Sequence, residues 1–266
     1  MSKLPTLFVS HGSPMLSLQA GATGAAWERL GRELPPPSAV VVVSAHWSQA
    51  APALTGAERP ETIHDFYGFA DALYDLNYPA PGAPQLAQEL AGGLAAAGYA
   101  ARVDARRGLD HGAWVPLRFM YPAADLPVLQ LSINARADAN WHYGLGAALA
   151  PLLKDDTLLL ASGSLTHNLY EFRPGTGHLP VPEYVNVFQA WMYQHLIGHD
   201  LDALLDYRRR APQAARAHPS DEHLLPLFVA LGAAGAGAPV VRELDVVTEH
   251  ILAMDIYRFE RGEPRH

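Results

Sequence analysis

The sequence predicts an α/β fold: one domain over residues 1–266 with a central, mostly parallel (mixed) β-sheet covered by helices on both faces. Apolar runs of strand length recur along the chain. They are continuous rather than alternating, the pattern of strands buried on both faces. Helical patterns separate them, and that alternation builds helix-covered, mostly parallel sheets.

Taken in order, residues 4–10 read as the first strand and run into the turn His11-Gly12-Ser13-Pro14. Residues 24–33 follow as a helix, and residues 39–45, with Val40 to Val43 unbroken, as the second strand. Further strands are expected over residues 99–104, 128–134, 157–162 and 240–247. Helices are expected over residues 84–97, 113–120, 137–153, 183–199 and 221–234. No repeat, low-complexity tract or linker divides the chain, and the Ala/Gly-rich residues 232–238 are too few to separate domains. The apolar part of residues 1–10 is too short for a signal sequence. The longest uncharged stretch, residues 224–241, contains Pro226 and Pro239 and reads as helix, loop and strand rather than a membrane span. A cytoplasmic location without a membrane partner is therefore expected.

Charge and composition exclude several functions. With 19 Lys plus Arg against 27 Asp plus Glu, the formal charge is -8. Nucleic-acid binding needs a clustered basic surface, so none is expected. The run Arg208-Arg209-Arg210 reads as a solvated helix face. The chain has 13 His and no Cys. Disulfides, thiolate zinc sites, iron–sulfur clusters and a Cys nucleophile are excluded, so a transition metal must be held by imidazole and carboxylate.

The histidines do not fall evenly. His11 follows the first strand, His46 the all-valine second strand, and His167 the 157–162 strand by way of Gly163-Ser164-Leu165-Thr166. Ligands in open α/β sheets bind beyond the carboxyl ends of strands, where these three could converge. Any one such His is more often a polar loop residue or a satisfied core donor. Three of them beside small, turn-forming residues favour a site. His223 follows Ser220-Asp221-Glu222, which read as an N-cap and first helical turn that would aim it. His111, in Asp110-His111-Gly112, could be oriented by Asp110 or could be a surface residue beside an Asp cap, with equal weight. His64, in Ile63-His64-Asp65-Phe66, is a similar case. His142, His178, His195, His199, His218, His250 and His266 read as ordinary surface, helix or tail residues. The chain contains no nucleophile elbow, P-loop, dinucleotide fingerprint or His-Glu-x-x-His.

Eight motifs in order carry a resemblance. They are Ser10-His11-Gly12-Ser13-Pro14, Ser44-Ala45-His46-Trp47, Thr62-Ile63-His64-Asp65-Phe66, Tyr78-Pro79-Ala80-Pro81-Gly82, Leu109-Asp110-His111-Gly112-Ala113-Trp114, Gln130-Leu131-Ser132-Ile133, Ser162-Gly163-Ser164-Leu165-Thr166-His167-Asn168-Leu169 and Glu222-His223-Leu224-Leu225-Pro226. Together they resemble the DOPA-dioxygenase branch of the class III, LigB-type extradiol ring-cleaving dioxygenases. The resemblance implies one α/β domain that opens a catechol with O₂ at a non-haem Fe(II) centre, with Zn(II) an option in the isolated protein. It implies His11, His46 and His223 as metal ligands. It assigns the acid/base role to His167, which in zinc-filled relatives closes onto the metal as a fourth ligand. It puts His111 in the pocket as a catalytic contact, with His64, Ser13 and Tyr67 against the substrate. In the wider class the third ligand is a glutamate, which keeps Glu222 in view. Relatives often read Asp-Phe-Gly-Gly-Phe-Pro where this chain has Asp65-Phe66-Tyr67-Gly68-Phe69-Ala70. That departure bears on the substrate rather than the chemistry. The partners implied are a small catechol and O₂, with a homo-oligomer left open. The competing functions are a zinc-dependent hydrolase and a non-enzymatic binding protein on the same fold.

Overall fold

The computed structural model describes residues 3–262. Ten strands are β1 (Thr6–Ser10), β2 (Ala39–Ser48), β3 (Ala53–Thr55), β4 (Arg102–Asp104), β5 (Val128–Ile133), β6 (Thr157–Gly163), β7 (Val240–Leu244), β8 (Val247–Thr248), β9 (Leu252–Ala253) and β10 (Ile256–Phe259). Eight of them form one sheet in the order β4-β3-β5-β2-β6-β1-β10-β7, and β8 pairs only with β9. The centre, β5-β2-β6-β1, is parallel throughout. Antiparallel pairing appears only towards the edges, at β3–β5, β1–β10 and β10–β7. The mixed, mostly parallel sheet is as expected. The strands β3, β9 and β10 lie outside the expected runs, and the expected 240–247 strand stops at Leu244.

The central strands are apolar on both faces because both faces are covered. Successive side chains point to opposite sides of a strand. Val41 and Val43 therefore join one core with Leu159, Leu129 and Phe8. Val40 and Val42 join the other with Leu158, Leu160 and Val9. The first core is closed by α3 (Pro84–Ala96), α5 (Ala139–Leu149), α6 (Glu183–Ile197) and α10 (Leu225–Ala234), the second by α1 (Gly21–Glu33) and α4 (His111–Met120). The remaining short helices are α2 (Asp71–Tyr74), α7 (Leu201–Leu205), α8 (Tyr207–Arg210) and α9 (Ala214–Ala217). Among the described residues, no helix is long and apolar enough to cross a membrane.

Two expected ordinary histidines belong to the core. His142 and His218 are fully buried. The His142 ring accepts from the Asn134 N–H at 3.2 Å through Nε2, so Nδ1 donates to the Asp138 carbonyl at 2.7 Å. The His218 Nε2 donates to the Leu165 carbonyl at 2.7 Å. Backbone partners stabilise a buried polar ring without a ligand. His266 lies outside the described residues.

Candidate active site

The parallel strands β1, β2 and β6 end side by side, and their carboxyl ends carry the site. At the end of β1 the chain turns away immediately. His11 donates its backbone N–H to Gly163 O at 2.9 Å, and Gly12 adopts φ +61°, where L side chains are strained. A Cβ on Gly12 would also press on the Met254 side chain. His46 does not follow its strand, as expected from sequence. It lies within β2, inside a register irregularity between Ser44 and Ser48, after which Ser48 pairs again with Ile133 of β5.

His223 corrects a second expectation. The helix begins at Leu225, so His223 sits in the turn before α10 rather than in a first helical turn, and the Ser220 hydroxyl bonds Glu222 instead of capping. What fixes His223 is the end of β6. Its carbonyl accepts from the Ser164 N–H at 2.8 Å, and a Cβ on Gly163 would collide with that carbonyl. Only glycine permits so close a backbone approach.

These placements bring three imidazoles together. Nε2 of His46 stands 2.9 Å from Nε2 of His11 and 3.3 Å from Nε2 of His223. The other ring nitrogen of each points at an acceptor. The Ser162 hydroxyl donates to the Gly112 carbonyl, so its oxygen accepts from His11 Nδ1 at 2.9 Å. His223 Nδ1 lies 3.1 Å from Glu222 Oε1, and His46 Nδ1 lies 3.4 Å from Asp65 Oδ2. With the protons on Nδ1, three Nε2 lone pairs face one another, an arrangement that repels unless a cation lies between them. Ligands about 2.1 Å from one ion stand about 3.0–3.4 Å apart. The donor set fits a metal, and outward Nδ1–H bonds to carboxylate or hydroxyl are the usual support of metal-bound histidine.

Burial, reinforced by neighbouring imidazoles, holds His11 and His223 well below the ordinary imidazole value of 6.5. Burial and the neighbouring His111 bring His46 to about 4. Burial, then His218, His46 and His111, brings His167 to about 3. Rings kept neutral in this way are ready to ligate, because a metal binds only deprotonated imidazole.

His167 lies flat against His223, with ring centroids 3.4 Å apart and planes 13° apart. It groups with Glu222 and His223 rather than with His11 and His46. His111 opens α4 and is buried, but Asp110 does not orient it. The Asp110 carboxylate is taken by Ser44 Oγ at 2.6 Å, Gln130 Nε2 at 2.8 Å and Arg107 at 3.1 Å. Asp65 holds His111 instead, accepting from both its backbone N–H and its Nδ1 at 2.9 Å. Burial alone would raise the Asp65 carboxyl. The His111 hydrogen bond and the charges of His111 and His46 outweigh it and bring the value down to about 2.

A cavity of about 470 Å³ opens above the cluster and reaches His167 and His111. Its upper wall is apolar, formed by Phe66, Phe69, Leu169 and Phe172, with Ser13 and Tyr67 also lining it. The Ser13 hydroxyl accepts from the Met15 N–H at 3.3 Å. His64 does not line the cavity; its ring packs edge-on to Phe66 and Trp114, and Nε2 meets the Leu76 carbonyl at 2.9 Å. The sequence points to His64 rather than to its neighbour Asp65, because the pairing of residue 65 with residue 111 has no signature in spacing. Glu222 and Ser162 were likewise not read as supports.

Comparison with known proteins identifies the family. A family model described as the catalytic LigB subunit of aromatic ring-opening dioxygenase matches residues 5–259. A 4,5-DOPA dioxygenase extradiol from Beta vulgaris is 40% identical over 238 residues, covering 86% of this chain and 87% of the relative. One of the same name from Escherichia coli (strain K12) is 39% identical over 259 residues, covering 95% and 93%. A crystal structure of an uncharacterized Escherichia coli K12 protein superimposes with a TM-score of 0.80 at 33% identity, covering 97% of this chain and all of that one. The chain belongs to the LigB family of extradiol ring-cleaving dioxygenases.

Proposed function

We propose that His11, His46 and His223 hold the catalytic metal, that the active form contains Fe(II), and that the substrate is a DOPA-like catechol opened by O₂ to a muconic semialdehyde. The observation that carries this reading is the set of three Nε2 atoms turned on one point, with Nδ1 of each ring directed at an acceptor. Fe(II) bound there supplies positions for both catechol oxygens and O₂, and a path for electrons between them. The same ligands suit Zn(II), so the metal content of the isolated protein is the first measurement.

The remaining chemistry belongs to the side chains. His167, held neutral chiefly by burial, accepts a proton from a catechol hydroxyl and returns it as the ring opens. A catecholate beside it supplies the counter-charge that raises the proton affinity of an imidazole. His111 reaches the pocket through Nε2, since Nδ1 is committed to Asp65. The apolar wall packs on the ring and keeps bulk water from it. Ser13 and Tyr67 meet the substituent at the mouth.

The test is metal-free protein reloaded with Fe(II) and given DOPA under air. One O₂ should be consumed per DOPA, with a yellow semialdehyde formed. The variant His167→Gln should lose about 10²- to 10⁴-fold in kcat, the usual contribution of a positioned proton-transfer group. Full activity in that variant removes His167 from the mechanism. A wild-type protein that binds no metal removes the whole reading.

A further inference from the structure

We infer that Asp65 is a positioning residue: one carboxylate sets the tautomers of a metal ligand, His46, and a pocket imidazole, His111. The inference rests on the metal site proposed above. Asp65 lies in the loop after β3, far in sequence from both partners, yet each of its oxygens is directed at one of them. Oδ1 accepts two bonds from His111, the backbone N–H and Nδ1, each at 2.9 Å. Oδ2 lies 3.4 Å from His46 Nδ1, an electrostatic contact rather than an aligned hydrogen bond. The two rings lie against each other, with centroids 3.9 Å apart.

A carboxylate only accepts. Each nitrogen facing Asp65 is therefore the favoured site of the proton, and in the neutral ring Nε2 is left as a lone pair. For His46 that lone pair is directed at His11 and His223. For His111 it is the one ring nitrogen free to serve the cavity, so this ring meets a substrate hydroxyl as an acceptor. Asp65 also ties the loop that carries Phe66 and Tyr67 to the first turn of α4. Without it, ring orientation and the nearby cavity wall would both loosen.

The sharpest variant is Asp65→Asn, which keeps size and shape. Its oxygen can continue to serve His111, but its NH₂ then faces His46 Nδ1. Donor would meet donor unless His46 moves its proton to Nε2, into the metal site. Binding of Zn(II) by the metal-free full chain, measured by competition with a chelator, should weaken about 10- to 100-fold, the usual cost of losing such a support. Long-range ¹H–¹⁵N spectra of the metal-free protein read the tautomers directly. Wild type should show Nδ1–H for both His46 and His111, and the variant should show Nε2–H for His46. Loss of packing alone would not move that proton. Zn(II) affinity within twofold of wild type, or unchanged tautomers, overturns the inference. If His46→Ala binds Zn(II) as tightly as wild type, the metal site itself is wrong, an outcome separate from the Asp65 result. The variant Asp65→Ala, which removes both acceptors without presenting a donor, should weaken binding less than Asp65→Asn; the reverse order also overturns the inference.

Discussion

The floor and the mouth of the cavity are built on opposite plans. The floor is backbone and imidazole, packed where three parallel strands end. His11, His111 and His223 are buried, and Gly163 has no room for a methyl group. The mouth is loop and aromatic ring. Tyr67 is 90% exposed and Leu169 59% exposed, and Gly68 beside Tyr67 turns through φ +74° with open space where a Cβ would stand. A rigid scaffold carrying variable loops is a common division of labour, with chemistry below and choice of ligand above. Floor substitutions should therefore change metal binding and turnover together, and mouth substitutions should change which catechol is held.

The largest expected effect is at the floor. His46→Ala removes the ring that stands between His11 and His223. Elemental analysis should find stoichiometric metal lost, with turnover at background. The variant should also lose the stabilisation that metal gives the wild type, about 2.7 kcal/mol when free metal is 100 times its dissociation constant. A variant that still shifts its thermal midpoint on adding Zn(II) would show that the floor does not depend on this ligand.

Next in size is an effect that separates burial from ligation. His142 is as buried as the floor histidines, but its ring bonds only backbone, and burial lowers its pKa from 6.5 to about 4. The unfolded chain binds the proton more readily than the folded one between those values. Stability is therefore complete above pH 6.5 and falls as the pH drops towards 4. The shift corresponds to about 3 kcal/mol at about 1.4 kcal/mol per unit. His142→Gln should flatten the acid side of the urea-unfolding stability curve without changing metal content. An unchanged curve would mean that burial is not what keeps this ring neutral.

The third effect tests the close approach at the floor. Gly163→Ala would push a methyl group into the His223 carbonyl. Overpacking of this kind costs about 1–3 kcal/mol. Because the displaced residue is a proposed ligand, weaker metal binding should accompany the lower thermal midpoint. Loss of stability with metal affinity intact would place His223 outside the metal site.

Much of the floor was legible in the sequence, and little of its support was. Strand ends followed by His and small residues mark His11, His46 and His167, because a parallel sheet directs its carboxyl ends to one side. The central strands were legible for a related reason: burial on both faces leaves unbroken apolar runs such as Val40 to Val43. The strand β3 is three residues long and carries no such run. Before the antiparallel β10, the chain turns from β8 into β9 through Glu249 and His250, both at positive φ, with no glycine to announce the turn. Asp65, Glu222 and Ser162 support imidazoles across the fold, and only tertiary structure sets such partners. His142 and His218 are ordinary in the sense of standing outside the site, but their burial is not legible, because nothing in a local window distinguishes a buried ring from an exposed one.

The smallest effect belongs to the mouth. The ring of Tyr67 is almost wholly in water while still lining the cavity. It has little to contribute to the stability of the empty protein, so Tyr67→Ala should unfold within about 0.5 kcal/mol of wild type, as exposed substitutions do. Its contribution would be made only when a catechol substituent packs against it. An aromatic contact of that kind is worth about 0.5–1.5 kcal/mol, which is about a 2- to 13-fold rise in KM on removal. The value of kcat should stay within twofold, because no atom of Tyr67 is needed for proton transfer. The rise should be larger for catechols with an aryl or alkyl substituent than for catechol itself, which is too short to reach the mouth. If kcat falls instead, with KM unchanged, the loop bearing Tyr67 acts on the chemistry through its neighbour Asp65, and floor and mouth are one unit rather than two.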